Sequence, residues 1–172
     1  MLDKVVTKEE ALSKFHDGQT IMFGDWHGEF AADDLIDGLV EKGVKDIHAI
    51  AVTAGMPDLG LGKLIVDRQV KSLITTHIAY NPHARDQMFA GELDVEFSPQ
   101  GTFSERIRCG GFGLGGCLTP TGLNTEVEKG KEKFNPNVHI TKPIVHLAPS
   151  KKYFTLTGVS YERVTITDKA SK

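Results

Sequence analysis

Between residues 19 and 109 the chain alternates short apolar runs with helix-forming stretches, joined by brief polar or glycine links. No other feature restricts its fold as much. A strand, a helix and a second strand with short connections bring the two strands side by side and parallel, through a right-handed crossover. The apolar runs are QTIMFG (19–24), DIHAIAV (46–52), VKSLITTHI (70–78) and LDVEFS (93–98). Thr7-Lys-Glu-Glu10 ahead of them is a capping box, opening a short helix on Ala11, Leu12 and Phe15 that ends at Asp17-Gly18. FAADDLIDGLVEK (30–42) sets Phe30, Leu35, Leu39 and Val40 near one face, and Gly43 stops it. LGKLIV (61–66) follows a glycine-rich link, NPHARDQMFAG (81–91) opens on Asn-Pro and closes on Gly, and GTFSERIRC (101–109) is a further helix.

Beyond residue 130 the character changes. NVHITKPIVHLA and KKYFTLTGVSYERVTIT carry β-branched and aromatic residues at period two, which predicts antiparallel strands or a hairpin. Asn135-Pro-Asn137 and Ala148-Pro-Ser-Lys151 mark the turns. The expectation is one α/β domain. Residues 1–131 form a mostly parallel sheet with flanking helices, and 132–172 a C-terminal β extension of antiparallel strands.

The 172 residues suffice for one cored domain, and 40% of them are hydrophobic. A net charge of −3 with both signs dispersed argues against nucleic acid or an anionic membrane as partner. No apolar run approaches the roughly 20 residues a membrane span needs. The N-terminus is charged from Asp3 and does not read as a signal peptide, and two cysteines make no disulfide scaffold, so a cytoplasmic location is expected.

Residues 107–122, IRCGGFGLGGCLTPTG, hold six glycines and both cysteines of the chain. Gly111-Phe-Gly113-Leu-Gly115-Gly116 satisfies G-x-G-x-x-G, but a dinucleotide fingerprint needs those glycines between the first strand and a helix. Here they follow a helix, and Pro120 and Gly122 stop another from opening. Cys109 and Cys117 have no histidine or further cysteine nearby in sequence, which argues against zinc. Two readings stay open: a loop permitting positive φ and close packing, or one whose bare amides approach a ligand.

This segment resembles the alpha (A-type) chain of the family I CoA-transferases, the acetate/acetoacetate type, almost without interruption from Ile107 to Gly122. The resemblance extends through Asp17-Gly18, Leu64-Ile65-Val66, Ser72-Leu73-Ile74, His77-Ile78, Asn81-Pro82, Gly91 to Val95, Pro99 to Thr102 and Glu126 to Lys131, covering about residues 4–131. It implies the CoA-transferase α/β fold and a heteromer with a B-type subunit. That partner carries the nucleophilic glutamate in a Ser-Glu-Asn-Gly motif, which is absent here. Coenzyme A enters as a substrate, moved between a short acyl-CoA and a carboxylic acid. The A-type subunit would supply backbone amides that stabilise an oxyanion. The resemblance places Gly24, Gly110, Gly111, Gly113, Gly115, Gly116 and Asn81 at the substrate or oxyanion loops, and Tyr80 is a candidate beside Asn81 in the same loop.

The chain departs from the family in its first loop. The family's Gly-Gly-Phe, then Gly-x-Pro, is replaced by Gly24-Asp25-Trp26-His27-Gly28-Glu29-Phe30. In the loop after the third strand, His77 matches, while Tyr80 and His83 are new. Asp25, His27, His77 and His83 are the candidate acid–base groups. Their spacing is not a metal motif, no metal ligand is assigned, and a metal stays an open question. Three readings follow: decoration of the rim, a pocket retuned for another acid, or new chemistry. The alternatives to CoA transfer are a hydrolase or lyase cleaving a C–C bond of a β-diketone or cyclic ketone, metal-assisted through Asp25, His27 and His83, and a non-catalytic structural subunit.

Over 132–172 the resemblance fades, which reads as a shortened or rebuilt subunit whose missing layer a partner supplies. His139 and His146 read as ordinary strand histidines, His16 and His48 as a helix end and a strand residue. Cys109 reads as a small packing residue, and Asp33-Asp34 as a pair favoured by the helix dipole.

Overall fold

The computed structural model describes residues 5–135, 138–144 and 154–157. Its first helix, α1 (Lys8–Ser13), begins as the capping box requires, with the Thr7 hydroxyl accepting from the Glu10 amide at 3.2 Å. The helix ends under Lys42, whose ammonium donates to the carbonyls of Leu12 and Phe15 at 2.8 and 2.7 Å.

The described residues fall into two compact units, 5–96 with 154–157, and 97–135 with 138–144. In the first, strands β1 (Thr20–Gly24), β2 (Ile47–Ala51) and β3 (Val70–Thr75) alternate with helices α2 (Asp33–Lys42), α3 (Leu61–Val66) and α4 (Pro82–Phe89). Strand β4 (Asp94–Phe97) lies outside β3. β1 and β2 pair in parallel with Ile21 opposite Ala49, and β2 and β3 with Ala49 opposite Leu73. Ile21, Leu35, Leu39, Ile47, Leu64 and Leu73 are buried in one apolar core. Gln69 is buried among them, and its amide donates to the carbonyls of Leu39 and Val44 at 3.0 and 2.7 Å. The Leu39 carbonyl also accepts from the Gly43 amide at 3.1 Å, so Gln69 adds a second bond there and reaches the chain just past the end of α2. Asp33 and Asp34 occupy the first turn of α2, where the dipole favours them.

Some boundaries differ from the sequence reading. Phe30 lies outside α2, is 79% exposed and has φ +62°; Ile36 takes its place in the core. β3 ends at Thr75 rather than at residue 78, because Thr76–Tyr80 turn towards α4. Strand β8 (Phe154–Thr157) was expected to be antiparallel. It instead runs parallel to β1, with Ile21 opposite Phe154, completing the order β4-β3-β2-β1-β8. A period-two pattern sets which side chains share a face but says nothing about strand direction.

The second unit holds helix α5 (Gln100–Phe112) and an antiparallel sheet of β5 (Cys117–Thr119), β6 (Lys133–Asn135) and β7 (Val138–Thr141), in the order β5-β7-β6. The antiparallel expectation holds for β6 and β7. His139 is a buried strand histidine, its Nε2 donating to the Thr121 carbonyl at 2.9 Å. Arg106 ties α5 to the end of β7, donating from Nε to the Lys142 carbonyl at 2.8 Å. His146 and the turn at 148–151 lie outside the described residues. Among the described residues no helix is long and apolar enough to cross a membrane.

Candidate functional site

β1 ends at the exposed Gly24, and the chain folds back within five residues. Trp26 and Glu29 exchange both backbone hydrogen bonds, at 3.0 and 2.9 Å, closing a two-residue turn on His27-Gly28. Both central residues have positive φ, +58° and +98°, as type I′ turns demand. Glycine takes that shape freely; for a histidine the left-handed region costs roughly 1–2 kcal/mol. The turn is held nonetheless. The His27 amide donates to Thr53 Oγ1 at 3.1 Å, and the His27 carbonyl accepts from Met56 N at 3.0 Å. Strained backbone that its surroundings hold in place is a recurrent feature of functional sites.

Thr53 lies just beyond β2 and is fully buried. It also pairs as a parallel bridge with His77, just beyond β3. One residue therefore anchors both turns, and the rings converge. His27 and His77 have centroids 5.4 Å apart, His27 and Tyr80 4.5 Å, His77 and Tyr80 5.8 Å, and Trp26 and His27 4.7 Å. Trp26 and Tyr80 are 47% and 58% exposed, so the cluster is open on one side. Burial, then the neighbouring His27, hold the His77 imidazole below its usual range. The Ala79 amide donates to its Nδ1 at 3.4 Å, which puts the proton of the neutral ring on Nε2.

Asp25 stands at the foot of this cluster. Its Oδ1 accepts from the Gly28 amide at 3.3 Å. Burial pushes its carboxyl above the usual carboxylate range, with the Gly28 and Leu61 amides pulling the other way. Asp25 Oδ2 and His27 Nδ1 are both buried without a hydrogen bond of normal geometry. His27, His77 and Tyr80 are thus brought together, with Asp25 beside His27. His83 is not: it is exposed at the second residue of α4 and makes no ring contact with the cluster. Asn81 is fully buried and spent on the scaffold. Its Oδ1 accepts from Ala84 N at 3.1 Å as the N-cap, and its Nδ2 donates to the Ala54 carbonyl at 3.2 Å. Among the described residues, no three His, Cys, Asp or Glu side chains gather as a metal site would require. Sequence reasoning passed over Thr53, whose only signal was its place at the start of the link Thr53-Ala-Gly-Met-Pro57.

The glycine segment belongs to the second unit. Helix α5 runs three residues further than its sequence pattern indicated, so Gly110 and Gly111 are helical. Gly113 ends the helix at φ +70°, its amide bonding to the Gly110 carbonyl at 3.3 Å while Leu114 N reaches Cys109 O at 2.9 Å. That pair of bonds is a Schellman cap. At Gly116 a Cβ would fall 2.5 Å from the Thr141 carbonyl oxygen, so β7 passes too close for any side chain. Gly111 and Gly115 differ. Neither has positive φ, and a Cβ at either would meet no described residue within 4 Å.

A family model described as Coenzyme A transferase matches residues 5–161. The alpha subunit of acetate CoA-transferase from Escherichia coli (strain K12) is 46% identical over 132 residues, which are 77% of this chain and 60% of that protein. The acetoacetyl-CoA:acetate/butyrate CoA transferase alpha subunit of Clostridium acetobutylicum is 47% identical over 137 residues, 80% of this chain and 63% of that protein. The chain thus spans about three fifths of the length of these curated relatives. Among solved structures, an acyl-CoA transferase from E. coli O157:H7, in a thioester complex with CoA, superposes with a TM-score of 0.68 at 20% identity, covering 81% of this chain and 34% of that one. That likeness speaks for the fold alone.

Proposed function

This chain belongs to the coenzyme A transferase family, and on that premise we propose that it is the A-type subunit of a heteromeric CoA-transferase. In this reading it works with a B-type subunit whose glutamate is the nucleophile, and it moves CoA between a short acyl-CoA and a carboxylic acid. The relatives it matches at 46% and 47% identity are named as alpha subunits of such enzymes, which supports the reading.

The observation that carries it furthest within this chain is the pair Gly111 and Gly115. Glycine inside a helix, as at Gly111, costs about 0.5–1 kcal/mol relative to alanine. Among the described residues, neither backbone strain nor packing accounts for glycine at these two positions. Bare backbone there fits a requirement from outside the chain, a substrate or partner group that comes within amide distance. Preorganised amides aimed at a developing oxyanion lower the barrier to attack on a thioester carbonyl. Asp25, His27, His77 and Tyr80 are the polar groups we assign to recognition of the acid or to proton handling beside it, with His83 on the periphery.

The test is co-purification with the B-type subunit, followed by incubation with an acyl-CoA. The reading requires a covalent CoA thioester on the partner's glutamate and CoA transfer that depends on an added carboxylic acid. Release of free CoA, or cleavage of a C–C bond, without any acceptor acid would overturn it in favour of hydrolase or lyase chemistry.

A further inference from the structure

The two cysteines of the chain, Cys109 and Cys117, bracket the glycine turn, and the proposed transfer reaction uses neither of them. Cys109 lies in the last turn of α5 and is fully buried. Cys117 opens β5 and is half-buried. Helix α5 packs on β5, and the backbone between the cysteines doubles back through the Schellman cap at Gly113. Gly116 is seated against the Thr141 carbonyl, which holds the backbone leading into Cys117 close against β7. The Cys117 sulfur lies 3.0 Å from Thr141 Oγ1. The Thr141 hydroxyl donates to the Cys117 carbonyl at 3.2 Å, which leaves the thiol as the donor of the sulfur contact. Burial, then the charge the Cys117 side chain would carry, push the Cys109 thiol up, and the two side chains are within hydrogen-bonding reach.

We infer that Cys109 and Cys117 are a reversible redox pair, converted by a hydroperoxide into an intramolecular disulfide that clasps residues 110–116. The half-exposed Cys117 is the sulfur an oxidant reaches. As thiolate it attacks the O–O bond, becoming a sulfenic acid and releasing water or an alcohol. The Cys109 sulfur then attacks the Cys117 sulfur; the S–S bond forms, the S–O bond breaks, and the hydroxyl leaves as water with the Cys109 proton. Two thiols and one hydroperoxide thus give one disulfide, one water and one alcohol (or a second water). A buried resolving thiol with a raised pKa stays inert until that sulfenic acid is presented to it. A thiol reductant reverses the bond, as for other accessible regulatory disulfides. The pair depends only on the folding of the second unit, not on the reaction assigned to the protein.

The experiment treats the purified full-length chain with hydrogen peroxide, followed by mass spectrometry of the peptide between Arg108 and Lys129. The expected result is loss of two hydrogens from that peptide, restored by dithiothreitol and absent in Cys117→Ser. Amide exchange at residues 113–116 should slow in the oxidised form and be unchanged by peroxide in Cys117→Ser. Oxidation of Cys117 to the sulfinic or sulfonic acid with Cys109 still a thiol would overturn the inference, as would a dimer linked through Cys117. Since Cys117 is half-buried, its serine variant should fold even if Cys109→Ser does not.

Discussion

Tyr80 meets the His27 imidazole edge-on, with centroids 4.5 Å apart and ring planes at 80°. The two residues follow β1 and β3, strands that do not pair with each other, so their turns meet over the end of β2. Thr53 is the residue there that serves both, accepting from the His27 amide at 3.1 Å and pairing with His77. It also accepts from Gly55 N at 3.3 Å. Thr53→Val removes the acceptor with little change of volume and strands the buried Gly55 amide and the half-buried His27 amide. The expected cost is about 1–3 kcal/mol, with the ring cluster loosened. Trp26 is the only tryptophan of the chain, so its fluorescence reports on the cluster directly. Unchanged emission and unchanged melting temperature in the variant would remove Thr53 from this role.

The pH dependence of stability follows from two groups with opposite signs. His77 is held below its usual range by burial and by His27. Between that lowered value and the unfolded value of roughly 6.5, the unfolded chain binds more protons than the folded one. Stability therefore rises with pH across that window and is lost on acidification. Asp25 is held above its usual range by burial, so the folded chain binds the extra proton between about 3.9 and the raised value. Its ionised form thus weakens the fold at neutral pH. Asp25→Asn should raise the melting temperature at pH 7, keep the Gly28 bond to Oδ1, and lose its advantage near pH 4. His77→Gln should flatten the slope just below pH 6.5. Melting curves across pH check both, and an Asp25→Asn variant less stable than the parent at pH 7 would refute the first.

His27 and His83 were equal candidates in the sequence, and the structure separates them. His27→Ala should lower turnover by about 10², the usual scale for losing a general acid or base, whereas His83→Ala should stay within a few-fold. His27→Gly should also relieve the left-handed backbone and raise stability by roughly 1 kcal/mol while activity falls. Asn81→Ala belongs to another class. It removes an N-cap worth about 1 kcal/mol and a buried bond to Ala54, so melting temperature should drop while kcat per folded molecule holds. Steady-state kinetics beside thermal melts separate these outcomes. An equal loss of turnover in His27→Ala and His83→Ala would remove the distinction.

The strand–helix alternation, the Thr7 and Asn81 caps and the parallel pairing of β1, β2 and β3 were legible because each rests on local pattern or on the handedness of crossovers. The ring cluster was legible only in part. Strand ends that point the same way put Asp25, His27, His77 and Tyr80 in one neighbourhood, but which rings touch depends on Thr53, whose hydroxyl has no sequence signature. Helical spacing alone puts Phe30 in α2, but Phe30 itself sits in the left-handed region and the helix begins only at Asp33. Gln69 was invisible as well: a polar residue between a helix and a strand gives no sign that its amide reaches the Leu39 and Val44 carbonyls. The parallel direction of β8 is a long-range choice, made by an open edge of β1 rather than by anything within Phe154–Thr157.

Gly111, Gly113 and Gly115 offer the sharpest division between folding and function, because the three should respond differently. Gly113 sits at φ +70°, where alanine costs about 1 kcal/mol. Gly113→Ala should therefore lower the melting temperature along with activity. Gly111→Ala, inside the last turn of α5 with open space around it, should stabilise the chain by about 0.5–1 kcal/mol. Gly115→Val should leave stability near the parent's, since no described residue lies within 4 Å of its Cβ position. If a thioester approaches this backbone, both stable variants lose most of their activity when assayed with the B-type subunit. The β-branched side chain at 115 does so by blocking the approach, and the methyl at 111 by narrowing it. Assays on the two co-purified variants, alongside melting curves and circular dichroism, decide the matter. Folded, stable Gly111→Ala and Gly115→Val proteins with activity within a few-fold of the parent would show that no substrate comes near these glycines, and would return the segment to a purely structural role.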